Sequence, residues 1–277
     1  MRNVARRSVV LTIALVIGLL VYAGVAQADD IAWKAAHDTD PHLPLTPEQL
    51  KMTAEKRAAQ RPFAAGSEPP PAFSVPDSTC GSACDGGGGY PSSASIAANQ
   101  TAQATSYYCG PASVHEALDA VGVGISQAAA ASALRTTSSG TAWSGGGTSP
   151  SGYPVPDVLN RYQSRNYYVP QPVGSATSSA IQTYENDLEM DISSIRAPVV
   201  GNAWEVPGGY HLVGHPGNAQ IFHWFEIRGY YGSGATTLYE DSVHGATSIS
   251  WSGNVPAYSS LPSNRIVSIV SGRGYVW

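Results

Sequence analysis

The stretch Gln103-Ala-Thr-Ser-Tyr-Tyr-Cys109-Gly-Pro-Ala112 opens the part of the chain that decides the fold. Apolar residues follow it at the spacing of one helix face, namely Val114, Ala117, Leu118 and Val121. Pro111 suits the first turn of a helix, because its missing N–H would have had no partner within the helix. The pattern therefore predicts a helix that starts at Cys109, where the helix dipole and free N–H groups would stabilise a thiolate.

The N-terminus has the order of a secretory signal. Arginines within the first seven residues precede an apolar run from Val9 to Val25, and Ala26-Gln27-Ala28 offers a cleavage site of small residues. The most apolar stretch is short for a membrane anchor. We expect residues 1–28 to be removed, which leaves 12 basic and 20 acidic residues in an exported, soluble protein that does not bind nucleic acid.

Three cysteines occur, at positions 80, 84 and 109. In an oxidising compartment Cys80 and Cys84 are close enough in sequence to form a local disulfide, which would leave Cys109 unpaired. The count alone leaves two alternatives open. Cys109 could pair with one of the other two cysteines, or it could be a buried and inert thiol.

The chain divides into residues 1–28, 29–78 and 79–277. In the second region Thr46-Pro-Glu-Gln49 predicts a capped helix that runs to about Gln60, and the proline-rich stretch after it predicts a stiff linker. We interpret this region as either a pro-segment that covers a cleft or a plain spacer. Residues 79–277 are expected to form one domain.

Beyond residue 90 the predicted helices come before the predicted strands. Helical patterns cover residues 109–121, 127–134, 157–162 and 180–195. The predicted strands are Val199 to Glu205, Ile221 to Tyr230, Thr236 to Glu240, Ile266 to Val270 and Gly274 to Trp277. This order predicts an α+β fold, with the helices grouped ahead of a mostly antiparallel sheet.

A base for Cys109 is expected on a rigid strand. His223 lies in the strongest strand candidate, so it is either a core residue or that base. Asp241 comes directly at the end of the next predicted strand, after Glu240, and a hairpin would place that strand beside the first, so its carboxylate could orient His223. The adjacent Glu240 is a rival, but neighbours on a strand face opposite sides, so only one of the two can point at His223.

Gln103 lies six residues before Cys109, and its amide could donate to a developing oxyanion together with the Cys109 backbone N–H. A glutamine in a polar stretch is otherwise simply solvated. No group of residues has the sequence spacing of a metal site, and the glycines at 86–89 match no phosphate-binding loop. We therefore predict no metal and no other cofactor.

Taken together and in this order, Gln103-x5-Cys109-Gly-Pro-Ala, His223-Trp224 and Asp241 resemble the family of the double-glycine leader peptidases, a branch of the papain-like cysteine peptidase superfamily. The resemblance spans about residues 95–245. It implies a papain-like fold, with a helical half that bears the cysteine and an antiparallel sheet half that bears the histidine and the aspartate. It also implies peptide-bond hydrolysis through an acyl-enzyme, with Cys109 as nucleophile, His223 as general acid and base, Asp241 as orienting residue and Gln103 as oxyanion donor.

The chain departs from the leader peptidases in two places. Tyr108 stands where they often have Asp, and Ser242 stands where Pro is common. We also expect no membrane or ATP-binding domain, which argues against leader processing during peptide export. The resemblance thus predicts a secreted cysteine peptidase that acts on extracellular peptides or proteins. The alternatives are cell-wall peptide hydrolysis or acyl transfer to amines by the same residues, and a non-catalytic exported binding module.

Overall fold

The computed structural model describes residues 33–34, 36–37, 42–60, 89–145 and 149–277. The expected signal sequence, the proline-rich linker, Cys80 and Cys84 lie outside the described residues. Within the described ranges the helices are α1 (Pro47–Ala59), α2 (Cys109–Ala120), α3 (Gln127–Leu134), α4 (Pro154–Tyr162), α5 (Ser178–Glu189) and α6 (Ser263–Val270). A π-helical stretch, Met190–Ile195, continues α5. No described helix has the length and hydropathy to cross a membrane.

One antiparallel sheet holds the strands of the described chain. They are β1 (Ser93–Ser95), β2 (Pro170–Pro172), β3 (Val199–Glu205), β4 (Ile221–Tyr231), β5 (Thr236–Glu240), β6 (Tyr258–Pro262) and β7 (Gly274–Val276). Their order across the sheet is β2-β7-β3-β4-β5-β6, and β1 also pairs with β4. The predicted mixture of helices and a mostly antiparallel sheet is confirmed.

The two faces of the sheet carry two apolar cores. Val200 and Trp224 pack with Val114 and Leu118 of α2, whereas Phe225 and neighbouring odd-numbered positions pack with residues of α5 and α6. This division follows from the alternation of side chains along a strand. The sheet is therefore covered by α2, α3 and α4 on one face and by α5 and α6 on the other.

The predicted strand from Ile266 to Val270 is wrong, because these residues belong to α6. Their β-branched side chains favour a strand by propensity. Their apolar positions, however, also fall at the spacing of one helix face, and the structure buries that face against the sheet. Packing therefore outweighs propensity here, and β6 forms just before the helix, where no strand was predicted.

The predicted N-terminal helix begins as expected. The hydroxyl of Thr46 accepts the backbone N–H of Gln49 at 3.2 Å, and the Gln49 amide oxygen accepts the backbone N–H of Thr46 at 2.9 Å. These reciprocal bonds satisfy two N–H groups that a helix start leaves without partners. The capping box predicted from the sequence at the start of this helix is therefore confirmed.

Candidate active site

Cys109 is the first residue of α2, as predicted, and it lines a cleft. Only 8% of its surface is exposed, and it is a free thiol. The cleft has a volume of about 530 Å³. Its walls include Thr141, Trp143, Asn202, Phe222, Trp224 and Arg273. A reactive atom that lines such a cleft can meet a substrate that enters from solvent.

Gly110 allows the loop that carries Thr141 to pack closely against the start of α2. A Cβ atom at this position would lie 2.6 Å from the Thr141 Cβ and would also overlap the Thr141 hydroxyl oxygen. The same loop is held to the sheet, because the Trp224 indole N–H donates to the Thr141 carbonyl at 3.0 Å. The absence of a side chain at Gly110 therefore defines one wall of the cleft.

His223 joins Cys109 to Asp241. The His223 Nε2 lies 3.0 Å from the Asp241 Oδ1, and both side chains are almost fully buried. The imidazole is also hydrogen-bonded to the Cys109 thiol, and Nδ1 is the ring nitrogen left for that contact. The structure thus brings together the three residues that the sequence singled out, which lie at the start of α2, on β4 and directly after β5.

The pKa values of this trio shift as a thiolate–imidazolium pair requires. Burial raises the pKa of Cys109, but the hydrogen bond and charge of His223, with the backbone N–H groups of Trp224 and Gly110, outweigh it and lower the pKa overall. Burial would lower the pKa of His223, yet the charge and hydrogen bond of Asp241 raise it well above its usual value. Burial also opposes ionisation of Asp241, whose pKa is nevertheless lowered, first by the charge of His223. The trio therefore favours the charged form of the cysteine.

Gln103 is buried beside this trio and is held by its neighbours. Its side-chain amide N–H donates to the Thr105 carbonyl at 2.7 Å, and its amide oxygen accepts the Ser242 hydroxyl at 3.2 Å. Its backbone N–H donates to the Ser242 carbonyl at 2.8 Å. The described contacts of Gln103 do not include Cys109. Ser242, which departs from the leader-peptidase pattern, thus ties Gln103 to the segment that carries Asp241.

A second histidine, which no sequence motif singled out, is bonded to the other carboxylate oxygen of Asp241. The His215 Nε2 lies 2.9 Å from the Asp241 Oδ2, and its Nδ1 lies 2.9 Å from the Glu205 Oε2. Glu205 is the last residue of β3, and His215 lies in the loop between β3 and β4. One signal could have pointed to the pair, because a buried glutamate within a predicted core strand needs a partner.

Three possible metal ligands also meet here. Ligand atoms of His215, His223 and Asp241 lie within 4.8 Å of one another, a tertiary proximity that sequence spacing could not reveal. The Nε2 atoms of His215 and His223 are already hydrogen-bonded to the two carboxylate oxygens of Asp241. A metal ion could bind only if those bonds were given up.

Comparison with known proteins identifies the family. Residues 96–255, more than half of the chain, match the model of the Peptidase_C39 like family, and the chain belongs to this family. Membership indicates a cysteine peptidase, a hydrolase whose substrate is a peptide or a protein. The resemblance inferred from the cysteine, histidine and aspartate motifs is thereby confirmed at the level of the family.

Among solved structures, the chain is similar to the crystal structure of a Bacillus anthracis protein assigned as a C39-like peptidase. The sequence identity is 13% and the TM-score is 0.40, over 66% of this chain and 96% of that one. Among curated proteins, none matches this chain.

Proposed function

We propose that the chain is an exported cysteine peptidase that hydrolyses peptide bonds with Cys109, His223 and Asp241. The observation that carries the proposal is the position of the His223 imidazole between the other two residues. It contacts the Cys109 thiol on one side, and on the other its Nε2 lies 3.0 Å from the Asp241 Oδ1. In this proposal the helical half supplies the cysteine and the sheet half supplies the histidine and the aspartate, as in papain-like enzymes. Export rests on the signal expected at residues 1–28.

Acylation begins with the thiolate of Cys109. Its sulfur attacks the carbonyl carbon of the scissile peptide bond, and the carbonyl oxygen becomes an oxyanion in a tetrahedral intermediate. His223 then gives its Nδ1 proton to the leaving nitrogen, the C–N bond breaks, and the amine product departs. Asp241 keeps the ring oriented and stabilises its cationic form. The product of this half of the reaction is a thioester on Cys109.

The oxyanion needs donors that are in place before it forms. The backbone N–H of Cys109, at the start of α2, is one donor in this proposal, and the helix dipole adds to its effect. The Gln103 amide is the second. Its nitrogen carries two hydrogens, and the bond to the Thr105 carbonyl uses one of them. The other is free to meet an oxyanion at Cys109 when substrate is bound.

Deacylation reverses these roles. Neutral His223 takes a proton from a water molecule, and the hydroxide attacks the thioester carbon. The C–S bond then breaks, the acid product leaves, and the thiolate and the imidazolium are restored. No cofactor is needed for this balance, because the two protons moved come from His223 and from water.

The test is the loss of peptide hydrolysis when the nucleophile is changed. Cys109→Ser is expected to abolish turnover of casein and of a fluorogenic peptide library, because a serine hydroxyl has no comparable acidity. Ser106→Ala, an exposed position three residues upstream, is the matched control and should retain activity. Mass spectrometry should place a limiting thiol-directed inhibitor on Cys109. Undiminished hydrolysis by Cys109→Ser would refute the proposal.

A further inference from the structure

His215 lies between two carboxylates. Its Nε2 is 2.9 Å from the Asp241 Oδ2 and its Nδ1 is 2.9 Å from the Glu205 Oε2, and its side chain is completely buried. Ionised carboxylates only accept hydrogen bonds, so both ring nitrogens must donate. A histidine that donates from both nitrogens is an imidazolium. The geometry therefore indicates a buried, charged histidine that holds the Asp241 oxygen not bonded to His223.

Glu205 is built to hold this cation. Its Oε1 accepts the backbone N–H of Leu212 at 2.9 Å, while its Oε2 accepts His215. The neighbouring Val213 N–H donates to the Tyr239 hydroxyl at 2.9 Å, which ties the same loop to β5. These bonds fix the β3–β4 loop against the sheet. His215 therefore reaches Asp241 from a rigid segment.

Charge explains what this arrangement does for Cys109. With a thiolate on Cys109 and an imidazolium on His223, the site also holds the negative charges of Asp241 and Glu205. A cationic His215 offsets one of these negative charges, and its ring centre lies only 5.3 Å from that of His223. A nearby positive charge stabilises a thiolate and disfavours a second imidazolium. His215 thus acts on both members of the Cys109–His223 pair through Asp241.

We propose that His215, protonated and held by Glu205, is a positioning residue that fixes the Asp241 carboxylate and sets the pH range in which the Cys109–His223 pair works. This proposal rests on the peptidase function proposed above.

The other groups that face His215 and Glu205 make no hydrogen bond to the His215 ring. The His211 Nε2 is 4.0 Å from the Glu205 Oε2, beyond hydrogen-bond distance, and the two His211 ring nitrogens contact the carbonyls of Gly209 and Ala219 instead. Tyr239 comes from β5 and is neutral while it bonds to the loop. The Trp251 ring lies 4.7 Å from the His215 ring and carries no charge. Among the described residues that contact His215, the two carboxylates therefore define its charge.

Two variants test the role in activity. His215→Gln leaves the Glu205 charge uncompensated, so the Cys109 thiolate is disfavoured and the His223 imidazolium is favoured. Both limbs of the profile of kcat/KM against pH should move upward by about one unit, with little change in KM. Glu205→Gln lets His215 become neutral, because the new amide can donate to Nδ1, and it should move the limbs in the same direction by less. If Glu205 acted only through its own charge, its removal would move them downward.

His244→Gln is the matched control. It lies in another loop, and its Nδ1 contacts the Val255 carbonyl at 2.7 Å rather than the Asp241 side chain. It should leave both limbs in place. Coincident pH profiles for His215→Gln and the unchanged chain would overturn the proposal.

A measurement on the unaltered chain covers the case in which the variants fail to fold. The nitrogen-15 chemical shifts of the His215 ring should report two protonated nitrogens from pH 5 to pH 8. A neutral His215 at pH 7 would overturn the proposal. This measurement does not depend on turnover, so it tests the charge of His215 independently of the proposed peptidase activity. The peptidase activity is tested by Cys109→Ser.

Discussion

Glu226 of β4 and Glu240 of β5 lie directly opposite each other as buried carboxyl groups. Among the described residues, none of their four oxygen atoms has a hydrogen-bond partner. Burial raises the pKa of Glu226 well above its usual value, and it raises that of Glu240 to about 7. The folded chain therefore holds protons on this pair at pH values where an unfolded chain has released them.

This pair makes stability depend on pH in a definite direction. The unfolded carboxyls ionise above a pH of about 4, and the free energy of unfolding falls as the pH rises further because the folded state binds more protons. Glu226→Gln removes the ionisable group and should raise the free energy of unfolding at pH 8 by about 1–3 kcal/mol. At pH 4 the gain should vanish. Denaturant titrations at both pH values measure the difference.

The control for this prediction is Glu55→Gln on α1. Its side chain is 55% exposed and lies 3.7 Å from Lys51, an exposed ion pair that contributes little. Glu55→Gln should therefore not raise the free energy of unfolding at pH 8 by a comparable amount. An equal gain at both pH values for Glu226→Gln would contradict the ionisation argument.

Gly110→Ala is expected to lower kcat/KM by about 10²-fold or more, because small displacements of a nucleophile have effects of that size. The added Cβ would overlap the Thr141 side chain, so either Cys109 or the loop at 141 must move. Adding Thr141→Gly should restore part of the activity. Gly217→Ala, where a Cβ meets nothing within 4 Å, is the control and should be silent. Full activity in Gly110→Ala would mean that this wall is not needed.

Asp241→Asn should lower kcat/KM by about 10³–10⁴-fold, the scale of a lost orienting carboxylate. It should also change the pH dependence of Cys109 alkylation. Without the Asp241 charge the pKa of His223 falls, the imidazolium is lost at lower pH, and the pKa of Cys109 rises. Alkylation at pH 6 should therefore slow. Asp119→Asn, an exposed carboxylate on α2, should leave alkylation unchanged. An unaltered pH dependence in Asp241→Asn would argue against the charge coupling.

Lys56→Met is expected to lower the free energy of unfolding by about 3–5 kcal/mol, as when one partner of a buried ion pair is lost. Lys56 of α1 lies 3.1 Å from Asp191, and its ammonium group lies 4.2 Å from the centre of the Trp277 ring. Urea unfolding measures the loss, and Asp191→Asn in the same chain should recover part of it.

Lys51→Met is the control for Lys56, since its side chain is 71% exposed. It should change stability little.

Much of the candidate site could be predicted from local sequence. The helix start at Cys109 follows from the apolar spacing after Pro111, and the strand around His223 follows from a run of aromatic and β-branched residues. Both patterns lie within a few residues of Cys109 or His223, so local sequence is enough to predict the element that carries each side chain. Strand alternation predicted that only one of Asp241 and Glu240 could face His223, and the structure shows that Asp241 does so.

The sequence by itself determined the family motifs, the order of most helices and strands, and the residues at the start of α2, on β4 and directly after β5 that come together around His223. Only the tertiary structure decided that Glu205 and His215 complete the Asp241 environment, and that Ser263–Val270 is a helix. The reason is physical in both cases. The contacts among Glu205, His215 and Asp241 join the end of β3, the β3–β4 loop and the residue after β5. They depend on the path that the irregular loop takes between distant parts of the chain, which local sequence patterns do not specify. Burial of a short apolar segment against the sheet, likewise, outweighs its local preference for a strand.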